Sequence, residues 1–150
     1  MNMKSILKVF IFLLIVSPII SLAQNRQGGW GRNSNYNRIY DTKTVTEVKG
    51  QVVGVEQVVP LQGMSSGIHL LVNTGSDTIS VHLGPKWYLD NQSIQFTVND
   101  KVEVKGSKVP LNGEQIIIAR EISKEGKVFT FRDESGIPLW AGKGKGKSTR

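Results

Sequence analysis

Apolar and polar positions alternate most cleanly from Ile68 to Leu83, IHLLVNTGSDTISVHL. A two-residue turn at Gly75-Ser76 folds this stretch into a β-hairpin, because a glycine at the first loop position suits a type II′ turn. Leu70 then faces Val81, Val72 faces Ile79, and Ile68 faces Leu83, which makes one face wholly aliphatic. The other face pairs His69 with His82, Leu71 with Ser80, and Asn73 with Thr78. A slip of one residue would bury Asn73 and both imidazoles, so the hydrophobic pattern itself selects the register.

The remaining pattern is also that of strands. Thr44 to Val59 (TVTEVKGQVVGVEQVV) is rich in β-branched residues and reads as a long first strand. Val48 and Val52 share a phase that Val55 breaks, which predicts a bulge or bend at Gly50 or Gly54. Residues 60–67 read as a loop. Gly84-Pro85 ends the hairpin, and Lys86 to Gln92 has room for a short helix with Pro85 at its first position. Ile94 to Val98 reads as a short extended piece or as packing for that helix. Asn99-Asp100 is a turn, and Lys101 to Gly106 alternates with Val102 and Val104 inward. Asn112-Gly113 suits a type I′ hairpin turn leading into Gln115 to Ile122. Glu125-Gly126 turns the chain into a strand from Lys127 to Arg132. After a turn at residues 133–136, Ile137 to Trp140 closes the fold, with Trp140 over a barrel end.

Many short strands joined by Gly and Asn turns, with one short helix, predict an all-β fold. The order of long bent strand, hairpin, short helix and hairpin is that of a small OB-like Greek-key barrel. It would have five to six strands and one short helix between strands three and four. Leu83-Gly84-Pro85-Lys86-Trp87-Tyr88-Leu89 (LGPxWYL) and the run from Arg132 to Trp140 (RDxxGxPxW) add a likeness. On these segments the chain resembles a group of small exported bacterial proteins with an OB-like domain. That resemblance covers roughly residues 44–140. OB-folds bind along the face of strands two and three and the loops beside it.

The ends of the chain differ in composition from its middle. Lys4 and Lys8 precede an apolar run ending in Ser21-Leu22-Ala23, the form of a secretory signal peptide cleaved after Ala23. The run is shorter than the ~20 apolar residues of a membrane span. The expectation is export to the periplasm or beyond the cell. The domains are then a signal peptide at 1–23, a flexible linker at 24–41, the barrel at 42–141 and a flexible basic tail at 142–150. Cysteine is absent, so no disulfide supports the fold in that compartment. The net charge of +7 misrepresents the domain: all twelve acidic residues, but only ten of the nineteen basic ones, lie between Ile39 and Trp140. Basic character sits in Arg26, Arg32, Arg38, Lys143, Lys145, Lys147 and Arg150. These tails are candidate contacts for nucleic acid or another anionic surface. The tail's Gly146-Lys147-Ser148 mimics the end of a phosphate loop. Ala141 stands where its first glycine belongs, and the motif needs a following helix.

No catalytic set stands out, since the serines lack a nucleophile-elbow context and Asp90, Asp100, Asp133 and Glu134 lie at turns. The expectation is a non-enzymatic binding or adaptor module of the cell envelope. Its partner would be an envelope protein, a glycan or a small ligand. Trp87, Tyr88, Lys105 and Arg120 are the candidate ligand-binding residues. An aromatic pair stacks on a sugar or base, although Trp87 also suits a plug under the barrel. No cofactor is required. The one metal candidate is the cross-strand pair His69 and His82, whose Cβ atoms should stand ~4.5–5.5 Å apart. Such a pair suits Zn²⁺, Cu²⁺ or Ni²⁺. A third ligand would come from Met64, Asp77, Glu47 or Glu103. No haem-attachment motif is present.

Overall fold

A computed structural model describes residues 28–141. Residues 1–27 and 142–150 lie outside the described residues, and with them the expected signal peptide, the first four residues of the expected linker and the expected basic tail. Six strands form: β1 (Val45–Val58), β2 (Gly67–Asn73), β3 (Thr78–Pro85), β4 (Lys101–Leu111), β5 (Glu114–Lys124) and β6 (Lys127–Thr130). One helix, α1 (Lys86–Asn91), stands between β3 and β4. The sheet order is β3-β2-β1-β4-β5-β6, and β3 also pairs with β5 in parallel. That last pairing joins Ser80–His82 to Ile116–Ile118 and closes a barrel in the order β1-β2-β3-β5-β4. Closure in this order, with a helix after the third strand, is the OB-fold arrangement. β6 is appended to β5 outside the barrel.

The inward positions are mostly aliphatic. Leu70, Val72, Val81, Leu83, Ile117 and Ile122 are all at most 1 % exposed. β1 serves both halves of the barrel, pairing with β4 from Val45 to Gln51 and with β2 from Gln51 to Val58. The bulge that permits this lies between Val52 and Gly54. Its extra residue is Val53, turned out to solvent while Val52 is buried.

The hairpin keeps its expected register from His69–His82 to Asn73–Thr78. Its turn brings the Thr74 N–H to the Asp77 carbonyl at 2.9 Å, with Gly75 at φ +94°. Beyond His69 the expected pairing fails. Ile68 pairs with Gly84 rather than Leu83, because the register shifts between Ile68 and His69. The shift bends the strand into its corner. β3 continues through Pro85, which pairs with Gly67 and serves as the N-cap of α1 rather than its first residue. Residues 94–98 form no strand. Phe96 is buried there, and Thr97 N–H donates to the Asp100 carboxylate at 2.8 Å. The plug delivered by α1 is Tyr88 and Leu89, both buried, whereas Trp87 is only half-buried.

Residues 28–41 correct the expectation of a flexible linker. Trp30 and Tyr36 are 0 % and 1 % exposed, and Asn37 is also buried. Ser65 N–H donates to the Gly28 carbonyl at 2.7 Å, and Trp30 Nε1 donates to the Ser65 carbonyl at 3.1 Å. The polar, Gly-rich composition hides two large aromatic anchors whose burial outweighs the ordering cost of the segment.

Candidate binding cleft over the second and third strands

On the outer face of the hairpin, the rings of His69 and His82 stack with centroids 3.5 Å apart and planes 10° from parallel. They are placed by the cross-strand register, as expected. They are not surface groups, however, since each is 4 % exposed. Tyr36, from the N-terminal segment, covers His82 with its ring at 9° to the imidazole and its hydroxyl 2.9 Å from Nδ1. His69 Nε2 is buried with no hydrogen-bond partner. Burial disfavours the charged imidazolium. It pushes His69 down to about 4, and burial together with repulsion from His69 pushes His82 down to about 3. Both rings are therefore neutral at pH 7. Burial likewise raises the Tyr36 hydroxyl, so the phenol keeps its proton.

The two rings line the floor of a cleft of about 500 Å³. Its walls come from the β1–β2 loop at Val59 and from the β4–β5 turn at Leu111. Leu71 adds an apolar patch, and Glu56 and Glu114 supply its charge. No Lys or Arg lines it among the described residues. β1 continues the row of polar groups, because Glu56 is the direct partner of His69, which in turn partners His82. Glu56 was not among the residues singled out from the sequence. Extending the pairing from β2 to β1 would have found it, but the bulge at Val53 obscures that register.

The other sequence candidates do not meet at this cleft. Tyr88 is buried against Trp140 with ring centroids 5.3 Å apart, and Trp87 meets Tyr88 edge-on at 6.2 Å. Lys105 lies on the β1–β4 face, 3.4 Å from the Glu47 carboxylate. Arg120 is half-buried on β5, where its carbonyl accepts from the N–H groups of Phe131 and Arg132. Of the basic set, Arg32 and Arg38 are exposed. Arg26, Lys143, Lys145, Lys147 and Arg150 lie outside the described residues. Among the candidate third ligands, Glu47 and Glu103 pair with Lys105 and Lys49. Asp77 accepts from the Thr74 hydroxyl at 2.8 Å, and Met64 lies beside Gly29. Among the described residues, no three His, Asp or Glu side chains already stand close enough to share an ion.

A second group missed from the sequence holds the N-terminal segment in place. Arg132 is 1 % exposed. It donates to the Gly136 carbonyl at 3.0 Å and to Asn37 Oδ1 at 2.7 Å, and its guanidinium sits 5.3 Å from the ring centroids of both Tyr40 and Trp140. Desolvation lowers its pKa to about 10, which still leaves it charged at neutral pH. Asn37 passes the connection on, donating to the carbonyls of Trp30 and Gly31. Trp140 Nε1 also donates to the Trp30 carbonyl, at 3.0 Å. The two sequence segments thus meet at one end of the barrel, where a side chain at Gly84 would come within 2.7 Å of the Trp140 ring. Gly136, at φ +83°, likewise leaves no room for a Cβ beside the Tyr40 ring. Both segments brace the cleft's supporting layer rather than line the cleft.

No helix among the described residues is long and apolar enough to cross a membrane. No curated protein matches the chain. Among solved structures, a chain of the S. pombe Stn1–Ten1 complex is similar at 13 % identity, with a TM-score of 0.44. The match covers 55 % of this chain and 59 % of that one. Residues 44–129 match the MamS/MamX magnetosome protein family, a span that includes the barrel, both histidines and Glu56 but stops short of Arg132 and Trp140. With more than half of its length matched, the chain belongs to the MamS/MamX magnetosome protein family.

Proposed function

We propose that this protein is an exported, non-enzymatic binding module of the bacterial cell envelope, and that its ligand sits in the cleft above His69 and His82. The leader-like residues 1–23 support export, and membership of a magnetosome family supports a role beside a membrane compartment. The observation that carries the site is the cleft itself: it lies over β2 and β3, between the first and fourth inter-strand connections, where OB barrels bind. Its size is that of a small-molecule pocket. Its two glutamates favour a neutral or cationic ligand over a polyanion. The histidines favour binding over acid–base catalysis, because a catalytic imidazole works best with a pKa near the operating pH, and these lie far below it.

Ser80→Trp fills the cleft from an outward-facing position on β3. Native mass spectrometry of the protein recovered from periplasmic extract should find a bound small ligand in wild type and none in this variant. Equal capture by both proteins overturns the placement. The double variant Lys105→Ala/Arg120→Ala should capture as wild type does.

The exposed Arg32 and Arg38 favour one alternative, a polyanion held through the basic ends of the chain. On that reading, removing residues 142–150 and neutralising both arginines abolishes DNA binding and its steep salt dependence. Unaltered DNA affinity rules it out.

A further inference from the structure

We propose that the cleft over His69 and His82 takes a linear organic polycation of the alkyl polyamine class, its two ends held by Glu56 and Glu114. This rests on the reading of the cleft as the binding surface and names the chemistry of its ligand.

Charge is the first ground. Elsewhere on the fold, acidic side chains hold a lysine: Glu47 with Lys105, Glu103 with Lys49, Asp100 with Lys124 and Asp90 with Lys86. Glu56 and Glu114 are exposed, and the cleft they line contains no Lys or Arg. The imidazoles beneath them are neutral at pH 7 and add no opposing charge. Two carboxylates in a concave, partly apolar site draw cations into it.

Spacing sets the form of the cation. Glu56 lies on β1 and Glu114 opens β5, with β2 and β3 between them. The cross-strand row that starts at Glu56 passes His69 and His82 and meets β5 at Ile118, four residues beyond Glu114. At ~4.8 Å per strand and ~3.3 Å per residue, the two backbones lie on the order of 15 Å apart. The carboxylates thus stand at opposite corners of the cleft. A single small ion serves one of them, whereas a flexible chain with an ammonium at each end serves both.

The lining between the corners suits the rest of such a chain. Leu71, Ile116, Val59 and Leu111 are apolar. Val59 is 50 % exposed, and methylene groups laid against it would remove that surface from water. Ser80 and Asn112 line the same cleft, and their side-chain oxygens can accept from an internal amine. A peptide fits less well. β2 pairs with β1 and β3, and β3 pairs also with β5, so the floor has no open edge for an added strand. The cleft, about 500 Å³, has the size of a small-molecule pocket.

The test is isothermal titration of the whole mature chain with spermidine. One equivalent should bind, and binding should weaken as salt is raised. Glu56→Gln and Glu114→Gln should each weaken it by about threefold, and the two together by about tenfold. Both side chains are exposed, so neither variant disturbs the core. Glu103→Gln, which removes a carboxylate paired with Lys49 outside the cleft, should leave spermidine binding unchanged. Butylamine, with one ammonium, should bind more weakly than spermidine, and glutarate should not bind. Absence of spermidine binding, equal weakening by Glu103→Gln and Glu56→Gln, or tighter binding of a trilysine peptide overturns the assignment. If spermidine fails while Ser80→Trp still abolishes small-ligand capture, the polycation inference alone falls. If Ser80→Trp changes neither capture nor spermidine binding, the cleft reading falls with it.

Discussion

The barrel interior and the layer outside β2 and β3 are equally dry but are built on different terms. Inside, Leu70, Val72, Val81 and Ile117 are fully buried aliphatic side chains with no polar atom to satisfy. Their contribution comes from removing apolar surface from water, about 25 cal/mol per Å², and needs little directional precision. Outside, Trp30, Tyr36, His69, His82, Asn37, Arg132 and Trp140 are buried with their polar atoms. Each of those atoms needs a partner or carries a cost. The interior is supplied by strands that follow one another closely. The outer layer joins residues 28–41 to 131–140, across almost the whole described chain. Interior packing is therefore tolerant and local, whereas the outer layer is exacting and depends on segments distant in sequence.

The largest expected difference between the regions comes from truncating an anchor in each. Trp140→Ala should cost about 3–5 kcal/mol and should also free the N-terminal segment. Trp30 fluorescence would shift to the red while the barrel persists. Leu70→Ala falls in a similar range, about 2–5 kcal/mol, but should lower the denaturation midpoint without exposing Trp30 selectively. If Trp30 responds identically in both variants, the two regions are one cooperative unit and the distinction fails.

Next in size is pH, measured on metal-free protein. Above pH 6.5 both histidines are neutral folded and unfolded, and stability does not depend on them. As pH falls below 6.5 the unfolded chain takes up protons, while the folded rings resist down to about 4 for His69 and about 3 for His82. Stability is thus full above 6.5 and is lost as pH falls. The loss approaches about 1.4 kcal/mol per pH unit for each ring. The groups facing the pair are Tyr36, which stays protonated, and Glu56, which faces His69 across the strands. Chemical denaturation between pH 7 and 5 should show the slope, and His69→Phe/His82→Phe should flatten it. A wild-type protein equally stable at pH 7 and 5 contradicts the neutral stack.

A smaller effect, about 1–3 kcal/mol, is expected for Arg132→Met. It leaves Asn37 Oδ1 and the Gly136 carbonyl without their donor. Part of that cost is offset by removing a desolvated charge that has no carboxylate partner. Hydrogen exchange should quicken in residues 30–39 and stay unchanged in β5. Uniform exchange across the chain would show that the arginine does not brace the segment. Glu103→Gln is the smallest change. It breaks an exposed ion pair with Lys49 and should alter stability by less than about 1 kcal/mol. A larger loss would place unrecognised weight on the barrel surface.

The residues that were legible in advance share a physical character. Alternation in Ile68–Leu83 specified the hairpin because a half-buried strand repeats every two residues. Asn112-Gly113 marked its turn through the positive φ that both residues adopt, +51° and +82°. The histidine pair followed from register alone. Arg132 was read only as part of a motif, because no local pattern distinguishes a buried guanidinium from a solvated one. Tyr36 was read as linker because its burial depends on a surface made elsewhere. Lys105, Arg120 and Tyr88 sit on β4, β5 and α1, and none of them lines the cleft over β2 and β3.

By itself the sequence determined strand periodicity, turn positions, the OB order of elements and the opposition of His69 to His82. All of these arise from interactions between residues near in the chain or paired by a tight turn. Only the tertiary structure decided that those imidazoles are buried and neutral, that Tyr36 packs against His82, that Glu56 stands beside His69, and that Arg132 and Trp140 hold the N-terminal segment. Burial and hydrogen bonding between residues up to 110 positions apart depend on how the closed barrel presents its outer face. That presentation exists only once the strands have met.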